Sequence, residues 1–131
     1  MQTALALIVG IVVAVITVGV VEAAGHALWP PPTGVDMSDP EQARTVMDQI
    51  PLPAKLAVLA AWALGSLAGG FAAARISGKA WTAWTVGAAL LLAGSATMLM
   101  IPHPLWFAAA SVPAALAPAW IAARFGPKRA V

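Results

Sequence analysis

The stretch from Ala80 to Ala123 contains no Asp, Glu, Lys or Arg. A single helix crosses a bilayer with about 20 apolar residues, so this stretch is long enough for two spans. Proline removes a backbone donor and restricts the residue before it, which makes the segment from Pro102 to Pro104 the predicted turn. The sequence therefore predicts two transmembrane helices here, over residues 80–101 and 105–124.

Two more apolar runs precede this pair, over residues 3–28 and 54–76. In the whole chain, 61% of residues are hydrophobic and 9% are charged, whereas a soluble domain has about 25% charged residues. We therefore predict an all-α integral membrane protein. It should form one domain over residues 1–131, with four transmembrane helices and an outer loop over residues 29–53 between the first two.

The first apolar run has an alternative interpretation as a cleaved signal peptide. Its last part, from Glu22 to Ala24, weakly resembles a small-residue cleavage site. However, no Lys or Arg precedes the run, and its apolar stretch exceeds the about 7 to 15 residues that are usual in a signal peptide. We expect the helix to be retained.

The positive charges predict the orientation, because cytoplasmic loops carry an excess of Lys and Arg. An N-in/C-in arrangement puts most of the seven basic residues on the cytoplasmic side. The high Ala and Gly content favours a bacterial inner membrane as the location. The predicted inner residues are Arg75, Lys79, Arg124, Lys128 and Arg129, and the outer ones are Arg44 and Lys55.

The outer loop should contain a short amphipathic helix. Ser38 precedes Glu41 by three residues, and Asp39 precedes Pro40; both patterns are typical of a helix start. Such a helix would either pack down as a lid on the bundle or the membrane surface, or bind a partner. Its apolar residues, at helical spacing, are Ala43, Val46, Met47 and Ile50.

The first predicted span contains one acidic residue, Glu22, and the other spans contain none. If Trp29 marks the headgroup level, Glu22 lies about 10 Å deeper in the membrane, at about 1.5 Å per helical residue. An ionised acid at that depth is costly, and it normally faces the bundle interior and finds a partner. His26 is the nearest candidate, since residues four apart share a helix face.

The second histidine, His103, lies in the turn between the last two spans. The first and third loops of a four-helix protein lie on the same side of the membrane. Glu22, His26 and His103 should therefore converge at one end of the bundle, with Asp36 in the loop above them as a candidate fourth member.

Three interpretations of this cluster are open. In the first, Glu22 accepts a hydrogen bond from His26 or His103, which ties the helices together. In the second, Glu22 binds a proton or a cation. In the third, Glu22, His26 and His103 hold a metal ion such as zinc. The third interpretation is the weakest, because two histidines and one carboxylate provide few metal ligands, and we predict no bound metal.

Small residues mark the second span as a packing helix. Gly65 and Gly69 form a Gly-x-x-x-Gly pair, which Gly70 extends, and such residues let another helix approach closely. We expect packing within the bundle, with a dimer interface as the alternative. Pro113 and Pro118 should kink the fourth span, most simply as tolerated shape.

Enzyme motifs are absent from the sequence, which contains no P-loop, no His-Glu-x-x-His and no Gly-x-Ser-x-Gly. We predict no cofactor, and no nucleic-acid partner, because the basic residues form only a C-terminal cluster. The expected partners are membrane lipids, with a homo-oligomer or another membrane protein as further options. The sequence favours a non-enzymatic accessory, scaffold or interaction subunit. The alternative is a small transporter or an ion- or proton-binding protein that uses Glu22 with His26 and His103.

Overall fold

The structure, a computed structural model, describes residues 1–127, and every regular element in them is helical. Four of the helices are long and apolar enough to cross a membrane, as the sequence predicts. Lys128 and Arg129, which contribute to the predicted orientation, lie outside the described residues. The helices are α1 (Gln2–Leu28), α2 (Pro40–Val46), α3 (Leu52–Ser77), α4 (Trp81–Met100) and α5 (Leu105–Phe125), and a short 3-10 turn, Met47–Gln49, follows α2.

The long helices end where the local chemistry requires it. α3 begins after Pro51 and carries Pro53 in its first turn, where the missing N–H has no helical acceptor to lose. It ends at Gly78, whose φ of 70° is left-handed and favours glycine. α4 ends at Ile101, directly before the proline-containing turn that leads to α5.

The bundle has two different ends. At one of them, Gln2 Nε2 donates to the carbonyl oxygen of Ile76 at 3.0 Å, and Lys79 Nζ donates to Thr3 Oγ1 at 3.1 Å. These bonds join the start of α1 to the end of α3 and the start of α4, and we call this the small-residue end. At the opposite end, which we call the Glu22 end, α1 leads into the long loop and α4 turns into α5.

α3 lies at the centre of the bundle, in contact with α1, α4 and α5, whereas α1 packs mainly against α3. Glycines make the α1–α3 contact close. A Cβ on Gly10 would lie 2.7 Å from Ala73 Cβ and 2.8 Å from the carbonyl oxygen of Gly69. A Cβ on Gly65 would lie 3.0 Å from the carbonyl oxygen of Ala14. The two backbones therefore meet with no room for a side chain between them.

Gly70 faces the other side of α3. A Cβ there would lie 3.2 Å from Ala122 Cβ of α5 and 3.4 Å from Ala83 Cβ of α4. α4 and α5 approach each other in the same manner, since a Cβ on Gly87 would lie 2.6 Å from Ala119 Cβ. The glycines that the sequence marks for packing thus contact helices of their own chain, as small residues commonly do in membrane bundles.

α5 continues as one helix through Pro113 and Pro118. A proline disturbs the backbone hydrogen bonds of the turn that precedes it. Ser66 of α3 is fully buried opposite this turn, and its hydroxyl donates to the carbonyl oxygen of Ala115 at 2.6 Å. The carbonyl that Pro118 leaves without a helical donor is that of Ala114, so the bond from Ser66 stabilises the adjacent residue of this turn and does not replace the lost one.

The loop between α1 and α3 holds α2. Asp39 caps its start, because the Asp39 carboxylate accepts from the N–H of Glu41 at 3.0 Å, and Pro40 follows as the first helical residue. Ser38 is not the cap, since its N–H donates to the carboxylate of Asp36 at 2.9 Å. Of the two helix-start patterns in the sequence, the structure therefore uses the Asp-Pro pattern.

The α-helical part of this loop is shorter than its apolar stripe. It ends at Val46, and the chain continues as the 3-10 turn. Ala43, Val46 and Met47 are buried, whereas Ile50 is only partly buried. The stripe therefore faces the protein along α2 and the following turn.

Arg44 attaches the loop to the bundle. Its Nε and Nη2 atoms donate to the carbonyl oxygen of Met100 at 3.1 and 2.8 Å. Met100 is the last residue of α4, and the last carbonyl groups of a helix lack helical donors. The guanidinium group thus satisfies a helix terminus and holds the loop at the Glu22 end.

Candidate functional site

A cavity of about 600 Å³ lies at the Glu22 end, between α1, α3 and α4. Ligand sites in proteins commonly measure about 300–1,000 Å³, so a small organic molecule would fit. The lining side chains on the long helices are Val15, Val18, Glu22 and His26 of α1, Ala54, Lys55, Ala57, Val58 and Trp62 of α3, Leu90, Ala93, Thr97 and Met98 of α4, and Phe107 of α5; Gly25 and Gly94 also line it.

The long loop forms another wall of the cavity. Trp29 and the three prolines after it line the cavity where α1 ends. Met37, Met47 and Ile50 line it from the middle and the end of the loop. Because Arg44 fixes this loop to α4, its hydrogen bonds also hold this wall in place.

Glu22 is half-buried in the cavity wall. Its carboxylate has two polar neighbours, the side chain of Trp62 on α3 and that of His26 one turn further along α1. No lysine or arginine is among the neighbours that act on it. Glu22 and His26 both line the cavity, and His26 is the more exposed of the two.

Trp62 and Phe107 form an aromatic wall beside Glu22. Their ring centroids lie 6.1 Å apart at an interplanar angle of 74°, an edge-to-face arrangement. Gly94 of α4 lies directly against the Trp62 ring, so that a Cβ at this position would overlap the indole. Trp62 is 9% exposed and Phe107 is 1% exposed. The indole is therefore held in one orientation by α4 and α5.

His103 lines the same cavity from the α4–α5 turn. Its Nδ1 atom lies 2.7 Å from the carbonyl oxygen of Ile101, and its ring stacks on Phe107 with a centroid distance of 4.8 Å. One ring nitrogen is thus engaged within the turn itself. The structure brings His103 to the Glu22 end, as predicted, but holds it through its own turn and Phe107.

Asp36 stands apart from this group. It is exposed and is not among the residues that line the cavity. Hydrogen bonds from the hydroxyl and the N–H of Ser38 hold the pKa of Asp36 below its usual value. Its side-chain contacts are local, in the loop before α2, and the structure does not bring it to the cavity wall with Glu22, His26 and His103.

The metal interpretation gains no support from the geometry. Among residues 1–127, no three His, Asp or Glu side chains lie close enough together to hold a metal ion. Glu22 and His26 share one helix, while His103 is engaged with Ile101 and Phe107. We do not develop a metal site further.

Sequence reasoning missed several residues of the cavity. The position of Trp62 deep in its predicted span indicates a packing residue. Nothing in the sequence around Phe107, Met98 or Thr97 indicates that these residues line a cavity. Trp62 lies four residues after Val58, so the two share a face of α3. That spacing indicates a buried face without showing which helix or space it meets.

No protein-family model, curated protein or solved structure is significantly similar to this chain. The site must therefore be interpreted from its own geometry and chemistry.

Proposed function

We propose that this protein is a non-enzymatic, multi-pass membrane protein that binds a small amphipathic molecule in the cavity at the Glu22 end. The cavity carries the proposal. It measures about 600 Å³, and its wall is mostly apolar, with Glu22, His26 and His103 among its few polar groups. An apolar space with a small number of polar groups is the common form of a small-molecule site.

The same cavity is difficult to explain in a protein that serves only as a scaffold. Larger side chains at Ala93 or Ala57 would fill part of this space and add packing contacts, yet the chain carries alanine at both positions. In contrast, the small-residue end is packed until no Cβ fits at Gly10 or Gly69. The open space thus occurs in a bundle that packs tightly elsewhere, which supports a role in binding.

In the proposed orientation, both termini face the cytoplasm of a bacterial cell and the cavity lies toward the outer surface of its inner membrane. Arg75, Lys79 and Arg124 lie at the small-residue end, whereas Arg44 and Lys55 belong to the Glu22 end. The small excess of positive charge at the small-residue end supports this orientation.

A second candidate function, an accessory or interaction subunit, is favoured by α1. This helix has the least buried span of the four. Its exposed side chains include Leu5, Ile8, Val12 and Ile16. Another membrane helix or lipid would cover such a face equally well, so the cavity is the stronger ground for a function.

Native mass spectrometry of the protein released from a mild detergent tests the proposal. The wild type should carry a bound small molecule. Ala93→Leu, which adds volume to the cavity wall, should lose that mass. Ala88→Leu is the matched control, because it makes the same change on an exposed part of α4 that does not line the cavity.

The outcomes separate the two candidate functions. Loss of the bound mass in Ala93→Leu alone supports the cavity as a binding site. A wild-type chain that carries no small molecule, but does carry a second protein chain, would favour the accessory subunit. A bound mass that survives equally in both variants would show that the ligand lies elsewhere.

A further inference from the structure

We propose that the ligand of the cavity is an amphipathic organic cation, with its charged group beside Glu22 and its apolar part against Val58 and Met98. This inference rests on the proposed function and names its ligand class. The juxtaposition that carries it is a single carboxylate, that of Glu22, whose neighbours are Trp62 and His26, in the wall of a mostly apolar cavity.

The charges around Glu22 leave room for a cation. A buried carboxylate needs hydrogen bonds or an opposite charge to offset its lost hydration. Here it has the Trp62 side chain and His26 as neighbours, and neither is a permanent cation. The natural complement of such a group is a positive charge that the ligand supplies.

Within residues 1–127, Lys55 is the one lysine or arginine that lines the cavity. It lies in the first turn of α3, seven residues before Trp62, or about 10 Å along the helix at about 1.5 Å per residue. It therefore lies nearer the loop than Glu22's neighbour Trp62 does. The remaining titratable groups at the wall are His26 and His103.

The apolar part of the wall suits the rest of such a ligand. Trp29, which is exposed, offers aromatic surface at the wall, and the faces of aromatic rings attract organic cations. Met37, Met47 and Met98 add flexible side chains that adapt to ligands of different shape. A bare inorganic cation would leave most of the 600 Å³ unfilled, which favours a bulky organic one.

An anionic ligand fits this arrangement less well. Its charge would be attracted only to Lys55 at the loop side of the wall and repelled by Glu22 deeper in the cavity. A neutral ligand fits the apolar wall but gives the carboxylate no charge complement. The three ligand classes thus predict different effects of removing the charge of Glu22.

The experiment measures binding of three probes of similar bulk by isothermal titration calorimetry in detergent. Tetraphenylphosphonium is the cation, tetraphenylborate is the anion and triphenylphosphine oxide is the neutral compound. The proteins are the wild type, Glu22→Gln and Glu41→Gln. Glu41 is exposed on α2 and does not line the cavity, so it is the matched control.

The wild type and Glu41→Gln should bind the cation more tightly than the anion. Glu22→Gln should lower the affinity for the cation by more than about tenfold, because the substitution removes an opposite charge from a site of low dielectric. Binding of the neutral probe should stay the same. A cation that binds equally to the wild type and Glu22→Gln would overturn the inference while the binding function stands.

Two further outcomes are decisive. If none of the probes binds the wild type, the proposed function fails together with the inference. If tetraphenylborate binds most tightly, the cavity selects anions and the inference is wrong. Circular dichroism of each variant reports whether it folds.

A second variant keeps the inference testable if Glu22→Gln does not fold. Lys55→Gln removes a like charge from the wall, so it should strengthen binding of tetraphenylphosphonium by up to about tenfold. It should also weaken binding of tetraphenylborate. Unchanged affinities for both ions would show that charge does not select the ligand.

Discussion

At the small-residue end, Gly10 of α1 and Gly69 of α3 bring two backbones together with no room for a Cβ. At the Glu22 end of the same bundle, Val18 of α1 and Ala93 of α4 instead line a cavity of about 600 Å³. Lipid provides no hydrophobic drive between helices, so close packing and hydrogen bonds must hold a membrane bundle together. Close packing at one end therefore holds the helices together, while the other end contains polar groups and open space.

The largest expected effect comes from adding volume at the packed end. In Gly69→Leu, the new Cβ would lie 2.6 Å from Ala14 Cβ, with backbone atoms of α1 equally close. Overpacking a core costs about 1–3 kcal/mol, and more where backbone must move, so we expect a loss of about 3 kcal/mol or more. Reversible unfolding in mixed micelles, followed by circular dichroism, measures the change.

Gly19→Leu is the control for this substitution. Gly19 lies on α1 with no atom within 4 Å of its added Cβ, so its replacement should change the free energy of unfolding by less than about 0.5 kcal/mol. Equal losses in both variants would contradict the close α1–α3 contact and remove the distinction between the two ends.

A smaller effect is expected from Ser66→Ala, which tests a polar contact between the closely packed helices α3 and α5. The variant loses the buried hydrogen bond from Ser66 to the carbonyl oxygen of Ala115. Hydrogen bonds between membrane helices are worth about 0.6 kcal/mol on average, and we expect a loss of about 1 kcal/mol because the acceptor stays buried. The same unfolding measurement applies.

Ser95→Ala is the matched control, since the exposed Ser95 hydroxyl donates only within its own helix, to Leu91 at 2.8 Å. Its loss should be clearly smaller than that of Ser66→Ala. The reverse order would mean that α3 does not support the proline-containing segment of α5.

At the Glu22 end, Arg44→Ala should loosen the cavity wall without unfolding the bundle. The variant removes two hydrogen bonds to the carbonyl oxygen of Met100. The free energy of unfolding should change by less than about 0.5 kcal/mol, as for most surface substitutions. Hydrogen exchange should become several-fold faster in residues 36–50, because local opening no longer breaks this attachment.

Arg75→Ala makes the same change on the exposed surface of the small-residue end. It should leave hydrogen exchange in the loop unaltered. If Arg44→Ala instead lowers the stability of the whole bundle, the loop is part of the folding core and the two ends are not independent.

The smallest effect is a local dependence on pH. Hydrogen bonds from Ser38 lower the pKa of Asp36 in the folded loop. These hydrogen bonds therefore stabilise the folded loop fully at a pH above the usual pKa of an aspartate. This stabilisation is lost as the pH falls through the lowered pKa of Asp36. The amide resonance of Ser38 should shift over that pH range, while amides of α3 stay unchanged.

Asp36→Asn should remove this titration, because the amide side chain carries no charge. A shift of the Ser38 resonance that persists in Asp36→Asn would assign the pH dependence to another group. Unfolding of the long helices over the same range would show that the loop and the bundle are coupled.

Much of the Glu22 end could be predicted from single residues. Glu22 and His26 share a helix face because they are four residues apart, and the order of the loops places the His103 turn at the same end of the bundle. The structure does not place Asp36 at the cavity wall with them. Its carboxylate bonds to Ser38, two residues away, a local alternative that a short polar side chain commonly takes.

The cavity could not be predicted in this way. Trp62 and Phe107 lie on different helices, and their contact depends on the missing side chain of Gly94 on a third helix. A stripe of apolar residues or a small residue indicates that a helix face is buried, but it does not indicate which helix packs against that face. The same holds for Arg44, whose acceptor is a backbone carbonyl far along the chain.

The features that the sequence predicts depend on interactions between residues close in the chain, and those that it does not predict depend on interactions between distant segments. Composition, apolar run length and prolines act within one helix or turn, so the order of residues alone predicts four long apolar helices and the loop between the first two. Which helices touch, and where they leave space, depends on how side-chain volumes from distant segments fit together. Glycines close one end of the bundle and an unfilled wall opens the other, and both arise only when α1, α3 and α4 meet in three dimensions.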